Sequence, residues 1–212
     1  LSVAIHPDGS MMASGLYNGN VRLTDIKTLE THAEFRAHEG AVTALSFSST
    51  GSTFATGGED GSVNVWKLPD PTHIAGSSEF GKPINSLVML DDDRSVLVAF
   101  DHKLIHRWNT QEREITGTFS GHSGEVYSLS ISPDRTLLAS GSKDNTIRIW
   151  DIDSFIERKT LRGNRGRIND VRFSNDGDYL FSGNSEGEVA YWAVQLDVTQ
   201  RVLDIVEQML ID

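Results

Sequence analysis

The chain has 212 residues, enough for one large domain and too few for two ordinary ones. Its 19 Lys plus Arg against 30 Asp plus Glu leave a formal charge of −11, which disfavours nucleic-acid phosphates as a general partner, because that affinity comes mainly from Lys and Arg. It has no cysteine, which excludes a disulfide framework, thiolate zinc sites and cysteine nucleophiles, and no apolar run approaches the ~20 residues of a membrane helix.

In chain order, five tracts are alike: NVRLTDI (20–26), SVNVWKL (62–68), KLIHRWN (103–109), TIRIWDI (146–152) and EVAYWAV (188–194). Thr24, Trp66, Trp108, Trp150 and Trp192 align at steps of 42 residues, and the last four are all the tryptophans of the chain. A fixed period of this size means stacked supersecondary units. The first unit opens directly in a strand, LSVAIHP. The fourth shows the pattern in full, with strands at Val126–Ser132, Leu137–Ser142, Thr146–Asp151 and Phe155–Leu161 between SPDR and KDN turns. No unit has room for a helix. The expected fold is all-β, with five recognisable units of the four-stranded antiparallel type. The fifth unit shows only three strands before the pattern changes.

After Trp192 the period breaks. In LDVTQRVLDIVEQMLID (196–212), Val198, Val202, Ile205, Val206 and Met209 recur at helical spacing, with Asp197 and Gln200 placed like a capping box. The chain therefore divides into the repeats, 1–194, and a C-terminal amphipathic helix, 195–212. The helix stripe suits packing on its own domain, or a partner helix or coiled coil.

The units resemble the WD40-repeat family, whose repeat carries Gly-His near its start, Asp in the turn between second and third strands, and Trp-Asp at its end. The fourth unit has Gly121-His122, Asp144 and Trp150-Asp151; the second has Ala37-His38, Asp60 and Trp66-Lys67. The fifth keeps the frame with Gly163-Asn164, Glu186 and Trp192-Ala193, and the third is degenerate, with Phe80 in the His position. The resemblance implies a β-propeller with blades around a channel. It also implies a non-catalytic scaffold subunit of a eukaryotic multiprotein complex. Such propellers usually have seven blades, so five units imply a partial chain lacking about two units, on the order of 84 residues.

His122, Ser140 and Asp144 mimic a hydrolase triad. The same set recurs at His38, Thr56 and Asp60, again with a tryptophan (Trp66, Trp150), at a spacing of 84. The resemblance makes both sets structural hydrogen-bond chains. Phe80 and Val98 leave the third unit without one, and Asn164 and Glu186 alter the fifth. His102 and His106 have a zinc-like i, i+4 spacing, but in a turn and a strand this gives no shared helical face. No cofactor, metal or small-molecule substrate is expected.

Partner contacts are expected on the propeller's top face. The resemblance places them at Tyr17, Glu59, Asn85, Glu125, Tyr127, Lys143, Arg167 and Asn169. Segment 158–172 carries Arg158, Lys159, Arg162, Arg165, Arg167 and Arg172 against Asp170 alone. The segment reads first as a solvated blade edge, since charges alternate faces along a strand; as a binding surface it ranks an acidic protein partner ahead of RNA, because no aromatics interleave to stack bases. Without cysteine or an N-x-S/T acceptor, the expected setting is intracellular, cytoplasm or nucleus.

Overall fold

A computed structural model describes residues 2–90 and 93–194. These form nineteen strands and five antiparallel sheets. Blade 1 holds β1 (Val3–Ile5), β2 (Met11–Gly15), β3 (Asn20–Asp25) and β4 (Thr31–Arg36). Blade 2 holds β5 (Val42–Phe47), β6 (Thr53–Gly58), β7 (Val63–Lys67) and β8 (Thr72–Ser77). Blade 3 holds β9 (Ile84–Met89), β10 (Ser95–Phe100), β11 (Leu104–Asn109) and β12 (Glu114–Ser120). Blade 4 holds β13 (Val126–Ile131), β14 (Leu137–Ser142), β15 (Ile147–Asp151) and β16 (Glu157–Leu161). Blade 5 holds β17 (Ile168–Phe173), β18 (Tyr179–Asn184) and β19 (Val189–Ala193).

Each blade is a meander, with strands paired in chain order. The fifth sheet has three strands among the described residues, in line with the three strands that the sequence pattern of the fifth unit shows. The helix expected over 195–212, with Val198, Val202, Ile205, Val206 and Met209, lies outside the described residues.

The turns repeat with the sequence. Residues 9, 51, 93, 135 and 177 all take left-handed φ values, between 51° and 77°, where the first strand of each blade turns into the second. Glycine fills three of these positions at no steric cost; Asp93 and Arg135 fill the others.

A blade cannot bury its own faces, so the core lies between blades. One apolar cluster joins each successive pair, with Phe54 and Trp66 between blades 1 and 2, Ile84 and Trp108 between 2 and 3, Leu129 and Trp150 between 3 and 4, and Ile149 and Ile168 between 4 and 5. The fit is a knob in a notch. A Cβ built on Gly57 would lie 2.5 Å from Ile84 Cγ2, and one on Gly141 would lie 2.5 Å from Ile168 Cγ2. Glycine at these strand positions is therefore required by the next blade's branched side chain, not by its own backbone.

The first strands β1, β5, β9, β13 and β17 adjoin in chain order and line a polar cavity of about 730 Å³. They belong to different sheets, so no ladder satisfies their facing N–H groups. Serines do so instead: Ser46 Oγ accepts from Met89 N–H (3.1 Å), Ser86 Oγ from Leu129 N–H (3.2 Å), Ser128 Oγ from Val171 N–H (3.2 Å) and Ser130 Oγ from Phe173 N–H (3.1 Å). This positions the channel mouth, where the candidate residues stand.

Candidate functional site

Two buried chains of hydrogen bonds run across blades 2 and 4. In blade 4, His122 Nδ1 lies 2.9 Å from Asp144 Oδ2 and His122 Nε2 lies 2.8 Å from Ser140 Oγ, while Trp150 Nε1 donates to Ser140 Oγ at 2.8 Å. In blade 2, His38 Nδ1 lies 3.1 Å from Asp60 Oδ1, His38 Nε2 lies 2.7 Å from Thr56 Oγ1, and Trp66 Nε1 donates to Thr56 Oγ1 at 3.1 Å. With the imidazole proton on Nδ1 each chain closes: the carboxylate accepts from His, His accepts from the hydroxyl, and the hydroxyl accepts from the indole. Each Asp also accepts a backbone N–H, from Ser123 or Glu39, both at 2.9 Å. The loop after the His is thereby tied to the turn between second and third strands.

Electrostatics follow from burial. Burial pushes the His38 imidazole below its ordinary range, against the opposing pull of Asp60. Burial works upward on Asp60 and Asp144, but their hydrogen bonds outweigh it and hold both carboxyls below the usual range. Ser140 is fully buried, and its oxygen already serves Trp150 and His122. That geometry offers no approach to an electrophile.

Blades 3 and 5 differ. In blade 3, Phe80 packs on Phe100 at 5.6 Å, and Phe100 stacks on His102 and His106, while Trp108 Nε1 is buried with no hydrogen-bond partner among the described residues. His106 also bonds Thr118 Oγ1 (2.9 Å). In blade 5 the Trp192 indole still donates to Ser182 Oγ at 2.9 Å, but Asn164 turns away to the Asn145 carbonyl.

Five of the eight proposed contact residues come together where blades 4 and 5 meet. Glu125 Oε2 accepts from Tyr127 Oη (2.8 Å) and from Lys143 Nζ (3.1 Å). The Arg167 guanidinium lies 5.4 Å from the Tyr127 ring centroid, and its Nε donates to Asn169 Oδ1 at 3.1 Å. The Tyr127 and Lys143 hydrogen bonds hold the Glu125 carboxyl below its usual range; burial and Glu125 push the Tyr127 phenol up. The turn before β15 supplies Lys143; Tyr127 and Asn169 stand at the starts of β13 and β17, with Glu125 and Arg167 immediately before those strands. Asn85 donates to Asp101 Oδ1 (3.1 Å) and to the Val126 carbonyl (3.0 Å), linking blade 3 to blade 4. Asn85, Tyr127 and Asn169 line the cavity mouth. Tyr17 and Glu59 stand exposed on blades 1 and 2.

The basic segment does not form one surface. Arg158 pairs with Asp151 (2.6 Å), Arg172 donates to the Leu129 carbonyl (3.2 Å), and Arg167 lies on Tyr127. Arg162 and Arg165 remain exposed on the loop between β16 and β17, with Glu188 3.9 Å from Arg165. Sequence reasoning missed the channel serines and the Ser128–Asp170 bond (2.6 Å); the recurrence of Ser86 and Ser128 at the 42-residue step was the available signal.

With repeat, propeller blades and His–Asp–Trp chains in place, a family comparison decides the identity. The description "WD domain, G-beta repeat" matches residues 1–25, 29–67, 113–151 and 156–192, together more than half of the chain. The chain belongs to the WD40 family. Among WD40 relatives, it is 28% identical over 155 residues to "Periodic tryptophan protein 2 homolog" of Dictyostelium discoideum, covering 71% of this chain and 17% of that protein. It is 35% identical over 136 residues to "Small ribosomal subunit protein RACK1" of Schizosaccharomyces pombe, covering 60% of this chain and 43% of that one. It is 31% identical over 162 residues to "Pre-mRNA-processing factor 19" of Oryza sativa subsp. japonica, covering 70% and 29%. The chain thus spans less than half the length of each of these eukaryotic WD40 relatives. The unmatched stretch 68–112 contains most of blade 3, where Phe80 and Val98 replace the WD40 hydrogen-bonding residues.

Proposed function

We propose that this chain is a non-catalytic interaction scaffold within a multiprotein complex, and that it binds partner proteins through the face where blades 4 and 5 meet. The observation that carries this reading is the Glu125–Tyr127–Lys143–Arg167–Asn169 cluster at the channel mouth. Tyr and Arg are the side chains most enriched among interface hot spots. Here they are held in place before any partner arrives, which lowers the ordering cost of binding. Lys143, Arg167 and the exposed Arg162 and Arg165 favour an acidic protein segment as the partner. Asn85, Tyr17 and Glu59 extend the same face over blades 3, 1 and 2. The amphipathic pattern of segment 198–209 supports a second partner-binding element beside this face. The relatives' names, a ribosomal subunit protein and a pre-mRNA-processing factor, support a role in a large intracellular assembly of the cytoplasm or nucleus.

The test is co-purification with the full chain from a eukaryotic extract, read by mass spectrometry, beside a Tyr127→Ala plus Arg167→Ala double variant checked for folding by circular dichroism. Loss of a defined set of proteins, about tenfold or more, is expected if these two are hot spots. An unchanged set would refute this face.

Exposed Arg162 and Arg165 favour a second reading, an RNA-associated subunit using segment 158–172. It requires RNA binding that weakens with salt and is lost in Arg162→Glu plus Arg165→Glu. Absence of RNA affinity at low salt removes it.

A further inference from the structure

Ser185 stands in the turn between β18 and β19, followed by Glu186, Gly187 and Glu188, and all four are exposed. Glu59 and Lys143 hold the same place in blades 2 and 4, and they are exposed although those blades have a neighbour on each side. Exposure of this turn therefore belongs to the blade itself, whatever stands beside blade 5.

The three turns share one backbone contact. Glu59 N–H donates to the Ala41 carbonyl (2.9 Å), Lys143 N–H to the Glu125 carbonyl (2.9 Å) and Ser185 N–H to the Arg167 carbonyl (3.0 Å). That bond sets two side chains next to each other, and blade 4 shows what charges do there: Lys143 Nζ reaches Glu125 Oε2 at 3.1 Å. In blade 5 the residue in the place of Glu125 is a cation, Arg167, and the residue in the place of Lys143 is a neutral serine. Ser185 Oγ stands against Gly166, in the space a Cβ there would need, and Gly166 lies between Arg165 and Arg167 in the chain. Half of an ion pair is thus in place. A phosphate on Ser185 supplies the other half, with a charge of about −2 and three strong acceptor oxygens.

The residues after the serine suit the enzyme that would add it. A kinase cleft that is basic beyond the acceptor residue selects carboxylates at the first and third positions after the serine. Glu186 and Glu188 occupy both, and Gly187 puts no side chain between them. The Ser185 hydroxyl takes part in no hydrogen bond among the described residues. Ser154 is the contrast. Glu157 stands at its third position, but Phe155 fills the first. The Ser154 hydroxyl donates to Asp151 (2.7 Å), and Glu157 is taken by Arg148 and Thr160.

We propose that Ser185 is a phosphorylation site for an acid-directed serine kinase, and that its phosphate pairs with the Arg167 guanidinium. Ser185 Oγ attacks the γ-phosphorus of ATP, the bond from that phosphorus to ADP breaks, and the hydroxyl proton passes to the kinase's catalytic carboxylate. The product turns a neutral corner of the face anionic and draws Arg167 off the Tyr127 ring. The modification does not depend on which partner the face takes.

The test uses the full chain with casein kinase II, an acid-directed kinase, and Mg-ATP, with sites read by mass spectrometry. Ser185 is expected to carry phosphate in most molecules, about tenfold above Ser154, and the rate to fall about tenfold in Glu186→Gln plus Glu188→Gln. Circular dichroism checks that this variant folds. Phosphate at Ser154 without Ser185, no phosphate at all, or an unchanged rate in the double variant would overturn the site. Phosphorus NMR of the phosphorylated chain tests the pairing. The second phosphate ionisation, near 6 in an unpaired phosphoserine, is expected about half a unit lower, and to return in Arg167→Ala. Identical titrations with and without Arg167 would overturn the pairing.

Discussion

Ser140 is closed on both sides: His122 holds one, and the Trp150 indole the other. Removing the hydroxyl leaves a buried imidazole nitrogen and a buried N–H unpaired, a cost of about 1–3 kcal/mol. Ser140→Ala is expected to lose stability of this order in urea denaturation and to abolish no activity. A hydrolase would show the opposite pattern. Trp108 bounds the effect, because its Nε1 is buried without a hydrogen-bond partner among the described residues yet packs among Ile84, Met89 and Val96. The aligned hydroxyl and indole positions were legible in sequence as a repeated pattern. The pairing of Arg167 with Tyr127 was not. These residues lie 40 apart, and only the approach of two inner strands brings a guanidinium over a ring.

At the scale of the strand, the decisive contact is between blades. Gly141 has no room for a methyl group, because the Ile168 branch occupies the space, whereas Gly183 faces nothing within 4 Å among the described residues. Gly141→Ala is expected to cost about 1–3 kcal/mol through overpacking. Gly183→Ala is expected to be neutral in the same denaturation measurement, since a bare strand position prefers Ala to Gly. Equal effects would mean that the two notches do not differ. Strand positions and turns were legible because alternation and turn residues are local signals. The three strands of blade 5 were legible in the same way, because the repeat pattern changes after Trp192.

Over the whole molecule, the buried His–Asp chains couple stability to pH. His38 is held below its ordinary value of 6.5, so the folded state binds fewer protons there than the unfolded chain. Its contribution is full above that value and is lost as pH falls through the lowered folded value. Asp60 and Asp144 are also lowered, from 3.8, and their contributions are lost at still lower pH. Both effects have the same sign. The denaturation midpoint is expected to fall steadily from pH 7 to pH 4, with a shallower slope between 7 and 5 in His38→Gln. A midpoint that rises on acidification would contradict this account.

The sequence by itself determined the repeat, the all-β class, the family likeness and the hydrogen-bonding roles, because each is written in residue types at a fixed spacing of 42. Tertiary structure alone decided which top-face residues meet, how serines join the inner strands, and which glycine notch receives which branched side chain. Those depend on side chains from different blades meeting across a gap of tens of residues, and a one-dimensional period carries no record of distances between blades.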